Sequence, residues 1–162
     1  MLPETLNEEP TLKALDAQFP EAIVEASQAL GETTLIVRPD TLTAMCTALK
    51  SNFGFNRLSA VTAVDWWPVE PRFEVVYHLH DLRTQQRLRI KLRVAEGDVV
   101  DSVTPIWKTA NWYEREVFDL FGIGFRDHPN LERIMMPADW EGHPLRKDYP
   151  VHGYKYSYSE EG

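Results

Sequence analysis

The sequence predicts a single α+β domain in which a mixed or antiparallel sheet is packed by helices, followed by an extended C-terminal arm. Three patterns carry this. Residues 73–94 alternate apolar and polar side chains with a period of two, broken once by a short polar turn. Two segments, 42–49 and 113–121, carry apolar residues at helical spacing. From residue 126 onward both patterns stop, and prolines stand at 129, 137, 144 and 150.

The elements follow in order. The first ten residues hold three glutamates and two prolines and read as a solvated arm, 1–10. Leu12, Leu15 and Phe19 share a helical face, and Pro20 ends that helix. Ile23–Ala26 and Thr33–Val37 are β-rich runs on either side of the turn at Gly31. Leu42, Met45, Cys46 and Leu49 form one helical stripe, with Asp40 placed to cap it. Cys46 then lies among core residues and reads as a small buried hydrophobe. A strand over Leu58–Val64 ends at the Asp65-Trp66-Trp67-Pro68 interruption.

In the hairpin, Phe73, Val75, Tyr77 and Leu79 face the same side as Leu88, Ile90, Leu92 and Val94. The wet face of the second strand then carries Arg87, Arg89, Lys91 and Arg93, either as a solvated face that discourages edge pairing or as a surface for an acidic partner. Asn111 and Glu114 have the spacing of a capping box for a last helix, with Tyr113, Val117, Leu120 and Phe121 on its inner face and Gly122 as its stop. The domain is thus expected over 11–125. The arm over 126–162 is too long for an ordinary connection. Its aromatic residues Trp140, Tyr149, Tyr154, Tyr156 and Tyr158 suit a surface laid on a partner.

Composition narrows function. With 43% hydrophobic and 26% charged residues the chain is expected to fold, and a net charge of -8 opposes nucleic acid as main partner. One cysteine excludes an internal disulfide and the multi-thiolate ligation of an iron–sulfur cluster. No apolar run reaches about 18 residues and the start lacks the regions of a signal peptide, so a cytosolic or docked protein with no membrane span is expected. Glu116 and Asp119 share a helical face as an acid/base or metal pair would. The rival reading is therefore a stand-alone metal-dependent hydrolase using the histidines with Glu114, Glu116 and Asp119. Against it, none of the five histidines has zinc-site spacing.

The segments ANWYEREVFDLFGIGF over 110–125, HPNL over 128–131, RIMMP over 133–137 and DWEGHPLRKDYP over 139–150 resemble the signature of the 30-kDa (C-type) subunit family of respiratory complex I, NADH:quinone oxidoreductase. Asp127 stands where that family usually has Gly, and Glu132 where a basic residue is common. The resemblance implies a non-catalytic subunit of the peripheral arm on the cytoplasmic side of the bacterial inner membrane. It would support the module that passes electrons from NADH through iron–sulfur clusters to quinone, coupled to proton translocation. FMN, the clusters and quinone would lie on other subunits, with the 49-kDa-type (D-type) subunit as chief neighbour and the B-type and I-type subunits nearby. It also makes Glu114, Arg115, Glu116, Asp119, His128, Pro129, Trp140, Pro144, Leu145, Arg146, Lys147, Asp148, Tyr149 and Pro150 the expected partner interface. Within 144–148, the proline predicts an extended backbone with Arg146 and Asp148 on one side and Lys147 on the other. Arg146 is the candidate for a fixed ion pair, with a partner or with the Glu114/Glu116 helix.

Overall fold

A computed structural model describes residues 9–154. The remainder of the N-terminal arm, together with Tyr156 and Tyr158, lies outside the described residues. Helix α1 spans Pro10–Gln18, followed by strands β1 (Ile23–Ala29) and β2 (Glu32–Val37). A 3-10 turn, Pro39–Thr41, leads into α2 (Leu42–Phe53). Strands β3 (Arg57–Asp65), β4 (Phe73–His80), β5 (Arg87–Val94) and β6 (Val99–Asp101) precede α3 (Ala110–Phe121) and β7 (Gly124–Arg126).

The main sheet has five strands in the order β1-β2-β5-β4-β3. Three neighbouring pairs are antiparallel and β2 runs parallel to β5, so of the two expected forms, mixed or antiparallel, the sheet is the mixed one. A small parallel ribbon, β6 with β7, completes the architecture. Three residues per strand were too few to show as a pattern in the sequence.

The period-two reading of the hairpin sets the register, with Phe73 opposite Val94 and Tyr77 opposite Ile90. These side chains join Leu12 and Leu15 of α1, Met45, Cys46 and Leu49 of α2, and Val117 and Phe121 of α3 in one core. Burial, then the nearby Glu114, raise the Cys46 thiol pKa, so it remains a thiol packed as a hydrophobe.

Three local expectations need correction. Asp40 does not cap α2; its carboxylate is taken by Arg38, at 2.6 and 3.1 Å, and the 3-10 turn leads the chain into the helix instead. Asn111 and Glu114 form no capping box, because α3 starts two residues earlier, with Thr109 rather than Asn111 at its N-cap. Its first N–H groups are already met: Ala110 donates to the Trp107 carbonyl and Asn111 to that of Lys108. The second face of β4 is also drier than alternation implies, with Glu74 2% and Val76 5% exposed. Lys91 and Arg93 reach across from β5 to Glu74 at 2.9 and 3.2 Å, and their aliphatic stems cover that face.

Asp127, the departure from Gly, has φ +61° immediately after β7. Gly is favoured there because it has no Cβ to clash in the left-handed region, and Asp is among the few other residues that tolerate it. Asp127→Gly is expected to leave stability unchanged or slightly higher, whereas Asp127→Val should lower it by about 1–2 kcal/mol in urea titration. Equal stability of the Val variant would show that the left-handed conformation is not held.

Candidate functional site

Helix α3 ends without a following helical turn, so the carbonyls of its last residues need partners from elsewhere. Gly122 supplies one and the arm the others. The Phe118 carbonyl accepts from Gly122 N–H (2.8 Å) and that of Leu120 from Leu145 N–H (3.0 Å). The Asp119 carbonyl accepts from His143 Nδ1 (2.8 Å), and the Phe121 carbonyl from Arg146 Nε (2.6 Å). A guanidinium at the negative end of the helix dipole adds favourable electrostatics. Gly122 makes the approach possible: it holds φ +76°, and a Cβ there would lie 2.6 Å from both Arg146 Nη2 and His143 Cδ2.

A second clasp is built on the Asp119 side chain, which is fully buried. Its Oδ2 accepts the backbone N–H groups of Ile134, Met135 and Met136 at 3.0, 2.7 and 2.9 Å, while Oδ1 accepts from Arg133 at 2.8 Å. Burial alone would raise this carboxyl's pKa, but the N–H donors of Met136, Met135 and Ile134 with Arg133 outweigh it and hold it below the usual range. Arg133 continues to the Gly142 carbonyl at 2.8 Å, so one carboxylate organises residues 133–142.

The third clasp lies at the base of the β3–β4 connection. Arg72, 2% exposed, binds Asp65 through Nε (3.0 Å) and Nη2 (2.9 Å), and Asp148 at 2.6 and 3.2 Å. Asp65 also accepts Trp67 N–H (2.9 Å) and Lys147 N–H (2.8 Å). Burial pushes Asp65 up, but the Arg72 guanidinium and these two N–H groups prevail and bring its pKa to about 2. Glu96 bridges Arg72 (3.0 Å) and Arg146 (2.9 Å), and both guanidiniums lie over the Phe73 ring at 5.0 and 5.3 Å.

Glu114 points inward, fully buried, accepting from Ser102 Oγ (2.6 Å) and Val103 N–H (2.7 Å). Burial raises its pKa to about 7 despite these donors. His128 sits 3.9 Å from it. Its Nδ1 accepts from Asn130 N–H, so the ring proton is on Nε2, donated to the Asn111 carbonyl.

The remaining expected residues divide between buried and exposed roles. Arg115 lies over the Trp112 ring at 4.8 Å and donates to the Glu132 carbonyl; Glu116 is half-buried. The backbone of residue 132, rather than its side chain, makes that contact. Tyr149 meets Tyr154 edge-on at 5.3 Å, while Trp140 and Pro144 are half-buried. Pro129, Lys147 and Pro150 are exposed, as are Trp112, Met135 and Leu145.

Two details of the arm differ from expectation. Residues 144–149 form successive turns, with Arg146 N–H on His143 and Tyr149 N–H on Arg146, because the backbone curls around the end of α3. Arg146 pairs with Glu96 and the end of α3, not with Glu114 or Glu116, which lie nearer the start of that helix. Asp65, Arg72, Glu96, Ser102 and Arg133 were not singled out from sequence. The pairing of Asp65 and Arg72 was accessible in principle, since both stand at the ends of adjacent antiparallel strands; Glu96 carries no local signal. Asp119 is saturated by donors and Glu114 faces the core. Among the described residues no group of three or more His, Cys, Asp or Glu could hold a metal ion, so the hydrolase reading gains no support.

Comparison with known proteins agrees with the arm's signature. A model of the family described as respiratory-chain NADH dehydrogenase, 30 Kd subunit, matches residues 35–155. The C-type subunit of the NADH-quinone oxidoreductase of Geotalea uraniireducens is 49% identical over 140 residues, covering 86% of this chain and 85% of that one. The corresponding protein of Roseiflexus sp. is 45% identical over 143 residues, covering 86% and 82%. Among solved structures, the trypsin-resistant fragment (1-134) of Nqo5 superposes with TM-score 0.65 at 30% identity, covering 76% of this chain and 98% of the fragment. A chain of the membrane-bound sulfane sulfur reductase, an archaeal respiratory membrane complex, gives TM-score 0.77 at 28% identity over 88% and 85%.

Two pH-dependent outcomes follow. Asp65 has its pKa depressed on folding, so its contribution is present above its unfolded value and lost as pH falls. The stability difference between wild type and Asp65→Asn should shrink by roughly 2 kcal/mol between about pH 4 and pH 2. Glu114 has the opposite sign: its raised pKa means stability is fullest below the unfolded value and declines as pH rises to about 7. Denaturant titrations of wild type should lose roughly 3 kcal/mol over that window, a loss that Glu114→Gln should largely abolish. The same slope in the variant would show that Glu114 is not its source.

Proposed function

From its membership of the 30-kDa subunit family of respiratory-chain NADH dehydrogenase, to which the chain belongs, we propose that it is a non-catalytic structural subunit of the peripheral arm of an NADH:quinone oxidoreductase. In this reading it supports assembly of the module that carries electrons from NADH through iron–sulfur clusters to quinone, coupled to proton translocation. FMN, the clusters and quinone belong to other subunits, chiefly a 49-kDa-type (D-type) subunit alongside, with the B-type and I-type subunits nearby. The complex stands on the cytoplasmic side of the inner membrane. No helix among the described residues is long and apolar enough to cross a membrane, which fits a peripheral place. A single cysteine, buried in α2, does not fit the thiolate set of an iron–sulfur cluster.

One observation carries this proposal. Asp119, Arg133, Arg146 and Asp148 of the signature are paired within the chain, holding the arm against α3 and the sheet, and the surface beside them includes large apolar and aromatic side chains. Trp112 on α3 is 62% exposed, and Met135 and Leu145, beside backbone held by Asp119, Arg133 and Arg146, are 57% and 52% exposed. Large side chains on an immobilised surface lose little entropy when covered by a partner.

The test is the amount of intact complex on native gels from cells carrying arm variants. Arg146→Ala removes the Phe121 carbonyl's donor, the Glu96 pair and a cation–π contact, together about 1–2 kcal/mol given that Glu96 is half exposed. Assembly should fall. Arg146→Lys should rescue it only in part, since an ammonium cannot serve both acceptors with one planar fork. Gly122→Ala, which blocks the arm's seat, should lower assembly further. Wild-type amounts of complex in all three variants would overturn the proposal.

A further inference from the structure

The arm is clasped at the Asp65–Phe73 end of the main sheet. At the other end of the same strands, roughly 25 Å away for eight residues of strand, lies a cluster the arm does not touch. The register places Arg57 opposite His80, and His80 opposite Arg87, in one row across three strands. The next row on that face places His78 opposite Arg89. Together with Glu32 these side chains line a cavity of about 370 Å³.

The row places two arginines, Arg57 and Arg87, on either side of His80, which concentrates positive charge at this end of the sheet. Compensation within the chain is incomplete. Glu32 serves Arg89, and Arg87 stands 4.0 Å from it and two-thirds exposed. Arg57 is exposed and makes no ion pair among the described residues. His80 Nε2 is buried and has no hydrogen-bond partner among them, so it is open to one from outside the chain. Burial first, and then the neighbouring Arg89, lower the pKa of His78.

We propose that this cavity docks an acidic polypeptide segment, one Asp or Glu side chain of which is held by Arg57 and Arg87 and accepts a hydrogen bond from His80. A carboxylate is what the cluster already handles, in Glu32. A polypeptide rather than a free anion suits the surroundings, because Ala60 of β3 in the cavity wall and Ile36 of β2, two residues beyond Thr34 opposite Arg89, stand partly exposed on the same face and offer apolar contact. The net charge of -8 works against broad association with polyphosphates or anionic membranes, leaving a local match of charge as the means of recognition.

The experiment uses the full chain at low salt and a hexaglutamate peptide, followed by calorimetry and by NMR of the histidine rings. Saturable binding that shifts the His78 and His80 ring signals is expected. It should weaken by about tenfold or more in the Arg57→Gln/Arg87→Gln double variant. Arg38→Gln/Arg126→Gln, which removes two exposed arginines elsewhere, should bind as wild type does. Absence of peptide binding, or equal weakening in both double variants, would overturn the proposal. So would saturation of the site by inorganic phosphate or by phosphatidylglycerol vesicles in place of the peptide, since each assigns the cavity to another class of ligand.

Discussion

The end of α3 is the constraint on which the arrangement of the C-terminal third depends. An α-helix that stops in the body of a protein leaves carbonyls that must be paired or solvated. Here the partners are Gly122, His143, Leu145 and Arg146, three of them more than twenty residues downstream. The helix and the arm therefore form one structure, with the arm acting as the helix's cap. Gly122 is the residue that permits it, because the space beside its Cα is occupied by His143 and Arg146.

The buried charges give that cap its uniqueness. Two carboxylates, Asp65 and Asp119, each collect several donors, and Arg72 collects three carboxylates. Pairs of this kind gain little net stability over well-packed apolar residues, but a half-made pair is costly, so alternative seats of the arm are penalised. Glu114 differs. It is held by two donors in an apolar setting and has its pKa raised, which makes the junction of α3 with the Ser102–Val103 loop sensitive to pH near neutrality.

Both proposed surfaces follow from this frame. The arm end offers exposed rings and Met135 on immobilised backbone, a surface suited to burial by a neighbouring protein. The far end of the sheet offers the Arg57–His80–Arg87 row, where attraction is electrostatic. The two lie toward opposite ends of β4.

Much of this was legible in the residues themselves. Period-two alternation over 73–94 dictated the hairpin and its inward face, and helical spacing dictated α2 and the body of α3, because both signals depend only on near neighbours in sequence. The arm's signature could be recognised as a family resemblance, and Gly122 as a helix stop. What the sequence could not decide was the use of its charges. Glu114 looked like half of a capping box and became a buried acceptor for Ser102; Arg146 was expected to pair with a partner protein or with the Glu114/Glu116 helix, and within the chain it goes to Glu96 and the Phe121 carbonyl. Asp65, Arg72 and Asp148 lie up to 83 residues apart and meet only when the sheet and the arm are both in place. Local patterns determine which residues are buried, whereas the pairing of a charge is settled by whichever donor or acceptor the tertiary fold brings within about 3 Å.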